Sequence, residues 1–523
     1  MARLLCRQMM SHRKCWQSQD AALSTELFAS LKFCTGIVEY HAPNNESSRS
    51  YAPAQAILAW RLVNCPSSTT LGLRIPGGLL SKSFCSILIS ALLAFCLSCS
   101  RSKPEPVTIT FMDPEWSHDQ TRRSVLSEEN LREFEEQTGI RVKHLPAPET
   151  SQQQLALARE LLREDGSGFD VYGIDVVWSG ILNDDLLDLK PFFGSELSAE
   201  DPDVVAGYTV NGKVVAVPYH TNVGVLMYRT DLLKKYGYHA PPHTWAELEK
   251  MAFRIQQGER AAGDRNFWGF VWPGAADEGL TCLALEWQMS EGGGRIIEAN
   301  QKVSVNNENA VRAWQRAAHW IGWISPPSVT FYEEWDARNH FENSGEVAFR
   351  RAWTSDYFLT NQVEERTYGK TGITSLPDGT MPGVGTLGGF GLGVSRTSKH
   401  QSEAVALVRF LLHKESELEQ LREAAAPPAA TEFYRLPTIL KAYSRSTPSG
   451  QAQGSGIVSR PSTLTGRNYD KVSRAYADAV HSVLTGKKSA PDAAAALQSE
   501  LMRITGFAKG PPEPTKTGNP RLK

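Results

Sequence analysis

The sequence predicts an α/β fold made of two blocks, each a parallel sheet covered by helices. Three observations carry this. From Val107 to Ile174, apolar or alternating strand patterns and amphipathic helix patterns follow one another as strand, helix, strand, helix, strand. A second block of similar size starts near Gly212. The composition, 41% hydrophobic and 21% charged over 523 residues, is that of ordinary globular domains, and at roughly 150 residues per domain the length allows two to four.

The first hundred residues stand apart from both blocks. Residues 1–80 mix Ser, Asn, Arg and Cys without sustained periodicity and are expected to be a mis-assigned or disordered N-terminal extension. Arg74 and Lys82 then precede the apolar run from Phe84 to Leu97, which is long enough for a secretory signal and short for a membrane-spanning helix. The run ends in Leu97-Ser98-Cys99-Ser100, which resembles the lipobox of bacterial lipoproteins. That resemblance makes 81–98 a signal peptide, Cys99 the lipid attachment site and 99–106 a tether. It places the mature protein in the bacterial cell envelope, periplasmic or extracytoplasmic and anchored to a membrane. The alternative is a buried core helix with an incidental thiol. Only Cys282 lies beyond this region, so the folded body is held by apolar burial rather than by disulfides.

In the first block, Val107 to Phe111 alternates as a strand does. A helix is expected from about Ser124, with Leu131 and Phe134 three apart and Gly139 as its stop. Ile140 to Val142 gives a second strand, Leu155, Ala158 and Leu162 a second helix, and Phe169 to Ile174 a third strand. In the second block, Val214 to Val217 and Val223 to Tyr228 read as strands. Trp245, Leu248 and Ala252 mark a helix from about Thr244, and Ala310, Trp314, Ala317 and Ile321 another, closed by Pro326-Pro327. Gly388 to Val394 is a glycine-dense strand, Ala404, Leu407, Val408 and Leu411 form a helical stripe, and Ala475 to Ile504 is helical. Residues 508–523, rich in Pro and Lys, are expected to be a disordered tail.

Charge and motifs exclude several functions. The 55 basic and 57 acidic side chains leave a net charge of −2 with no basic cluster, which argues against nucleic acid as a partner. There is no Gly-x-x-x-x-Gly-Lys-Ser/Thr loop, no His-Glu-x-x-His and no Gly-x-Ser-x-Gly elbow. His239 and His243 are four apart, but Pro241 and Pro242 forbid the helix that would align them on a metal. The glycines from Gly388 to Gly393 miss dinucleotide-loop spacing and fit close approach of the backbone to a ligand or a neighbouring strand. No cofactor or metal is expected.

Many of the 13 tryptophans stand beside polar residues in expected loops: Trp116, Trp178, Trp272, Trp335 and Trp353. Sugars need flat rings for their C–H faces and carboxylates, amides or arginines for their hydroxyls; plain core is the other use of such rings. Chain order decides between them. Asp175-Val176-Val177-Trp178, Val217 to Arg229, and Pro241-Pro242-His243-Thr244-Trp245 are followed by Phe267 to Trp272, Glu278-Gly279-Leu280 and Leu387-Gly388-Gly389-Phe390. In this order they resemble the signatures of extracellular solute-binding proteins, family 1, the receptors of ABC sugar importers. The trehalose/maltose-binding branch is nearest, and the resemblance covers nearly all of Val107 to Gly506.

The resemblance implies a periplasmic-binding-protein-like fold: two α/β lobes joined by crossing segments, with a small oligosaccharide held in the cleft between them. Lobe 1 is expected over 107–219 and 356–415, and lobe 2 over 220–355 and 416–507. It also implies a monomeric receptor without enzymatic activity that hands its ligand to an ABC transporter membrane permease. The ligand-binding residues it implies are Glu115, Gln153, Asp175, His220, Asn222, Trp272, Glu278, Trp353, Gly389 and Phe390. Several positions depart from the branch. Asn222 stands for an aspartate, Ser355 for an aromatic ring and Phe390 for a tryptophan, and Gln153 and Gln154 lie where the branch often shows arginine, so the sugar itself stays open. Two other readings remain: a receptor of the same fold for a polyamine, iron complex or peptide, and a glycoside hydrolase using Glu333, Glu334 and Asp336, or Asp277 and Glu278, as its carboxylates.

Overall fold

Alternate residues of the first strand feed separate apolar cores, and the architecture grows from that alternation. In β1 (Thr108–Asp113), Ile109 and Phe111 enter one core and Met112 another. The computed structural model describes residues 106–113, 128–146, 148, 151–163, 169–359, 366–413 and 456–514. The signal run, Cys99, Glu115 and Trp116 lie outside them. No described helix is long and apolar enough to cross a membrane.

After β1 come α1 (Glu128–Thr138), stopped by Gly139 at a φ of 72°, then β2 (Arg141–Pro146), α2 (Ser151–Arg163) and β3 (Val171–Asp175). Both β2 and β3 pair parallel to β1. Short helices α3 (Trp178–Leu182), α4 (Gly194–Ala199) and α5 (Pro202–Gly207) and the hairpin β4 (Thr209–Val210) and β5 (Lys213–Val214) lead into β6 (Val217–Arg229). There follow α6 (Thr230–Lys235), α7 (Trp245–Ala261), β7 (Trp268–Val271), α8 (Glu278–Ser290), α9 (Glu308–Trp320), α10 (Glu334–Glu342), β8 (Val347–Trp353), α11 (Thr354–Leu359) and β9 (Thr371–Thr374). The chain returns along β10 (Val384–Val394) to α12 (Gln401–Leu411), and then β11 (Gly456–Val458), α13 (Ser462–Thr465), α14 (Tyr469–Leu484) and α15 (Ala490–Thr505) complete the described elements.

The strands lie in the order β2-β1-β3-β10-β6-β8-β7, with β9 also on β6 and β11 also on β10. Strand β6 is the joint. Its first half pairs antiparallel with β10, and its second half with β8 and β9. Val217 and Tyr219 of the first half enter a core of the β1–β3 lobe, whereas Leu226 and Tyr228 of the second half enter the large core under α7, α8, α9, α14 and α15. The chain crosses between lobes on β6, on β10 and again after β11. There Tyr469 packs in the first lobe while Val472 and Tyr476 of the same helix pack in the second.

Four expectations shift. Residues 371–383, assigned from sequence to the first lobe, belong with the second: β9 pairs with the far half of β6 and Leu376 lies in the large core. Tyr357 likewise packs with the second lobe. The helical stretch from Ala475 to Ile504 is two helices, broken at Gly486 (φ 69°) and restarted where Ser489 caps α15 ahead of Pro491. Helix α9 ends at Trp320, before Gly322 (φ 78°) rather than at the prolines. The expected disordered tail is held at its start: Val303 N donates to Ala508 O at 3.0 Å, Gly510 N to Val303 O at 3.0 Å, and Asn300 N to Glu513 Oε1 at 3.2 Å.

The glycine-dense strand answers to its neighbour. Gly389 has a φ of 114°, and a Cβ there would overlap the His220 carbonyl oxygen on β6; at Gly391 it would come within 2.8 Å of Val217 O. The two crossing strands approach so closely that only hydrogen fits between them.

Candidate functional site

Strand register builds the first wall. Phe390 on β10 is paired with Asp175 on one side and with His220 on the other, so the three lie in one row across the sheet. Asp175 ends β3, where the chain turns into α3, and Val177 N donates to its Oδ1 at 3.0 Å. It is 8% exposed, and burial pushes its carboxyl up to about 6; Arg460 and the Val177 bond pull against that, and Glu278 and Glu334 push with it. His220 is 7% exposed beside the Phe390 ring, at 5.2 Å between centroids. Burial pushes its imidazole down to about 4, against the pull of Asp113, so it is neutral at pH 7. Its Nδ1, the Tyr208 hydroxyl and Arg460 Nε have no hydrogen-bond partner among the described residues. Burial, then the Asp175 charge, raises the Tyr208 hydroxyl far above its ordinary range. Buried polar atoms without partners are costly.

The second wall comes from α8, α10 and the end of β8. Half-buried Trp353 donates its Nε1–H to Glu334 Oε1 at 2.6 Å, and the Arg351 guanidinium lies 4.0 Å from its ring centroid. Arg351 is fixed by Glu286 through Nε to Oε2 at 3.1 Å and Nη2 to Oε1 at 2.5 Å. The same carboxylate accepts Thr386 N of β10 at 3.0 Å, and a Cβ on Gly224 would overlap its Oε1. At the start of α8, Asp277 caps the helix by accepting Leu280 N at 3.2 Å. Burial pushes its carboxyl up to about 7, with Glu334 and Glu333 adding to the rise. Because Asp175 of the first lobe responds to Glu278 and Glu334 of the second, the two walls stand within electrostatic reach of each other. The carboxylates and ring suit hydrogen-bonded, stacked capture of a polar solute. Cys282 is buried and burial raises its thiol far above the ordinary range, so it is no nucleophile. No group of three or more His, Cys, Asp or Glu able to hold a metal occurs among the described residues.

The residues expected from sequence divide accordingly. Asp175, His220 and Trp353 stand on the two walls. Trp272 is a correction: it is 0% exposed in the second-lobe core, with Nε1 on Ser325 Oγ at 3.1 Å and an edge-on contact to Trp287, and cannot reach a ligand. Phe390 is 1% exposed and edge-on to Trp178, so it offers no open stacking face. Gly389 serves the crossing of the strands. Asn222 is used within the protein, accepting Thr354 Oγ1 at 2.8 Å and Ser355 N at 2.9 Å and donating Nδ2 to Ser355 Oγ at 2.9 Å. Glu278 takes Arg460 Nη1 at 2.7 Å, Ser473 Oγ at 2.5 Å and the Tyr469 hydroxyl, tying α8 to α14. Gln153 is exposed in the first turn of α2. Among the other tryptophans, Trp178 is core and Trp335 is exposed.

Sequence reasoning missed Arg460 and Arg351. Arg460 is buried, donating to Glu278 and, through Nη2, to Leu387 O at 2.9 Å. It follows a stretch without periodicity and had no signal. Arg350 and Arg351 did have one, since two arginines inside the apolar run Val347 to Trp353 announce buried ion pairs.

The profile described as bacterial extracellular solute-binding protein matches residues 130–444. A Deinococcus radiodurans protein named "Probable ABC transporter-binding protein" is 43% identical over 381 residues, 71% of this chain and 88% of the relative. Among solved structures, maltose-bound MalE3 of T. maritima superposes with a TM-score of 0.67 at 33% identity, covering 76% of this chain and 100% of that one. The GacH receptor of Streptomyces glaucescens, solved unliganded and with acarbose, has a TM-score of 0.63 at 20% identity over 77% of this chain and 99% of its own, a likeness of fold.

Proposed function

Because the chain belongs to the bacterial extracellular solute-binding proteins, the non-enzymatic receptors of ABC transporters, we propose that it captures a small α-linked oligosaccharide of the maltose or trehalose type. One observation carries the reading: Trp353 presents a half-buried ring at the end of β8, braced by Glu334 and Arg351, and the other wall holds His220 Nδ1, the Tyr208 hydroxyl and Arg460 Nε, buried atoms without a hydrogen-bond partner among the described residues. Such a pairing of plate and polar row suits a sugar's C–H face and its hydroxyls. The likeness to a protein solved with maltose, at 33% identity over that protein's full length, supports the same class. The receptor acts as a monomer outside the cytoplasm, closes its lobes on the sugar, and delivers it unaltered to a membrane permease. Its anchor is a lipid on Cys99, a reading supported by the apolar run and lipobox of the sequence.

Calorimetric titration of the exported protein with maltose, trehalose and a panel of amines tests the ligand. Saturable heat with an α-linked disaccharide is expected, and Trp353→Ala should cost roughly 1–3 kcal/mol of binding free energy from lost burial. Tight binding of an amine with silence for every sugar overturns the reading. Mass spectrometry of the mature N-terminus tests the anchor: a lipid-modified peptide beginning at Cys99 is expected, and a peptide from residues 1–70 in exported protein refutes it.

A further inference from the structure

We propose that Glu334 is a positioning residue for ligand capture: it touches no ligand, but by holding the indole N–H of Trp353 it sets the plane of the ring on which the ligand stacks. The inference rests on the reading of Trp353 as the stacking plate.

Three restraints converge on that ring, each from a different element. Glu334, on α10, accepts the Nε1–H at 2.6 Å. Arg351, two residues back on β8, lies on the ring at 4.0 Å and is itself immobilised by both oxygens of Glu286 on α8. Gly388, on the crossing strand β10, lies against the ring edge, where a Cβ would come within 2.9 Å of the six-membered ring. Of these, the Glu334 bond is the directional one: it fixes which way the N–H edge of the ring faces, where Arg351 and Gly388 only limit its faces and far edge. A half-buried indole without that bond would have to be ordered at the moment of binding, which costs affinity.

The bond also decides how the ring can be used. An indole has one donor, and here Glu334 takes it, so Trp353 offers a ligand its face and no hydrogen bond. Glu334 is not needed to start its own helix. The capping box at the head of α10 is made by Glu333 and Asp336, with Asp336 Oδ2 accepting Glu333 N at 3.0 Å. Burial pushes the Glu334 carboxyl up, and Arg351 is the chief influence opposing that rise.

A double-mutant cycle on the full chain tests this, with maltose and trehalose titrated calorimetrically into the parent, Glu334→Met, Glu334→Gln, Trp353→Ala and the Met/Ala double variant. Glu334→Met should bind about tenfold more weakly, the cost of ordering a free ring as the ligand arrives. Glu334→Gln, which keeps an acceptor oxygen, should stay within roughly threefold of the parent. In the Trp353→Ala background Glu334→Met should be silent, a non-additivity that a merely structural role would not produce. If the Met variant does not fold, Glu334→Ala replaces it in the cycle. Parent-like affinity in Glu334→Met, or the same loss with and without Trp353, overturns the positioning role and leaves the stacking role of Trp353 standing. Parent-like affinity in Trp353→Ala, or no sugar bound by the parent, overturns both.

Discussion

Replacing Asp277 by Asn should stabilise the protein in a way that depends on pH. The side chain caps α8, and asparagine caps a helix as well as aspartate does, so the bond to Leu280 N survives. What disappears is a half-buried charge near Glu334 and Glu333. A Cβ on Gly279 would meet Asp277 Oδ1 at 3.1 Å and Glu334 Cγ at 3.7 Å, so the two acids flank the same backbone atom. In the unfolded chain the carboxyl ionises near 3.8, and in the folded protein it keeps its proton up to about 7. Between those values the folded state holds the extra proton, so this group's contribution to stability falls as pH rises through the window and stays low above it. At ~1.4 kcal/mol per pH unit the full shift sets a ceiling of about 4 kcal/mol; partial exposure screens it to roughly 1–2 kcal/mol. Urea unfolding of parent and variant at several pH values reads the gap between them directly. The gap should be close to zero near about pH 4, widen through neutrality and level off above about pH 7. A gap of constant size, or one that narrows as pH rises, would show that the charge is not disfavoured in the folded state.

Other substitutions separate cleft from core. Gly389→Ala forces a side chain into a left-handed backbone position and onto the His220 carbonyl, and should cost about 2–4 kcal/mol of unfolding free energy; a neutral result would mean that the crossing strands are not in close contact. Trp272→Ala empties part of the second-lobe core and should cost about 3–5 kcal/mol in denaturant titrations, with affinity per folded molecule unchanged. A selective loss of affinity would return Trp272 to the site. Asp175→Ala should weaken sugar binding by about tenfold while leaving the melting temperature nearly intact, because the group's buried charge already opposes folding. A large drop in melting temperature with affinity preserved would make it a structural cap of the β3 turn.

The parallel strands and their helices were legible because each obeys a local rule: Ile109, Phe111 and Met112 alternate, and Leu155, Ala158 and Leu162 share one helix face. Lobe membership was not legible after the first crossing. Nothing local in 371–383 says that β9 joins the far half of β6, since pairing between distant strands is settled by tertiary contacts. At the site, motif order singled out Asp175, His220 and Trp353, which lie on the two walls. It could not tell an open aromatic ring from a buried one: Trp272 directly follows β7 and Trp353 ends β8, yet the first lies in the core and the second at its edge. Asn222 and Glu278 show the same limit for polar groups, whose partners at 354–355, 460, 469 and 473 lie far away in sequence.

The threefold passage between lobes also governs when the chain can fold. β1 to β3 leave the ribosome early, but the strand that belongs between β3 and β6 is β10, and Tyr469, which completes that lobe's core, arrives close to the C-terminus. Contacts so distant in sequence form slowly. The nascent polypeptide therefore holds no finished half until its last helices have been made: β1 to β3 wait for β10, and their core for Tyr469.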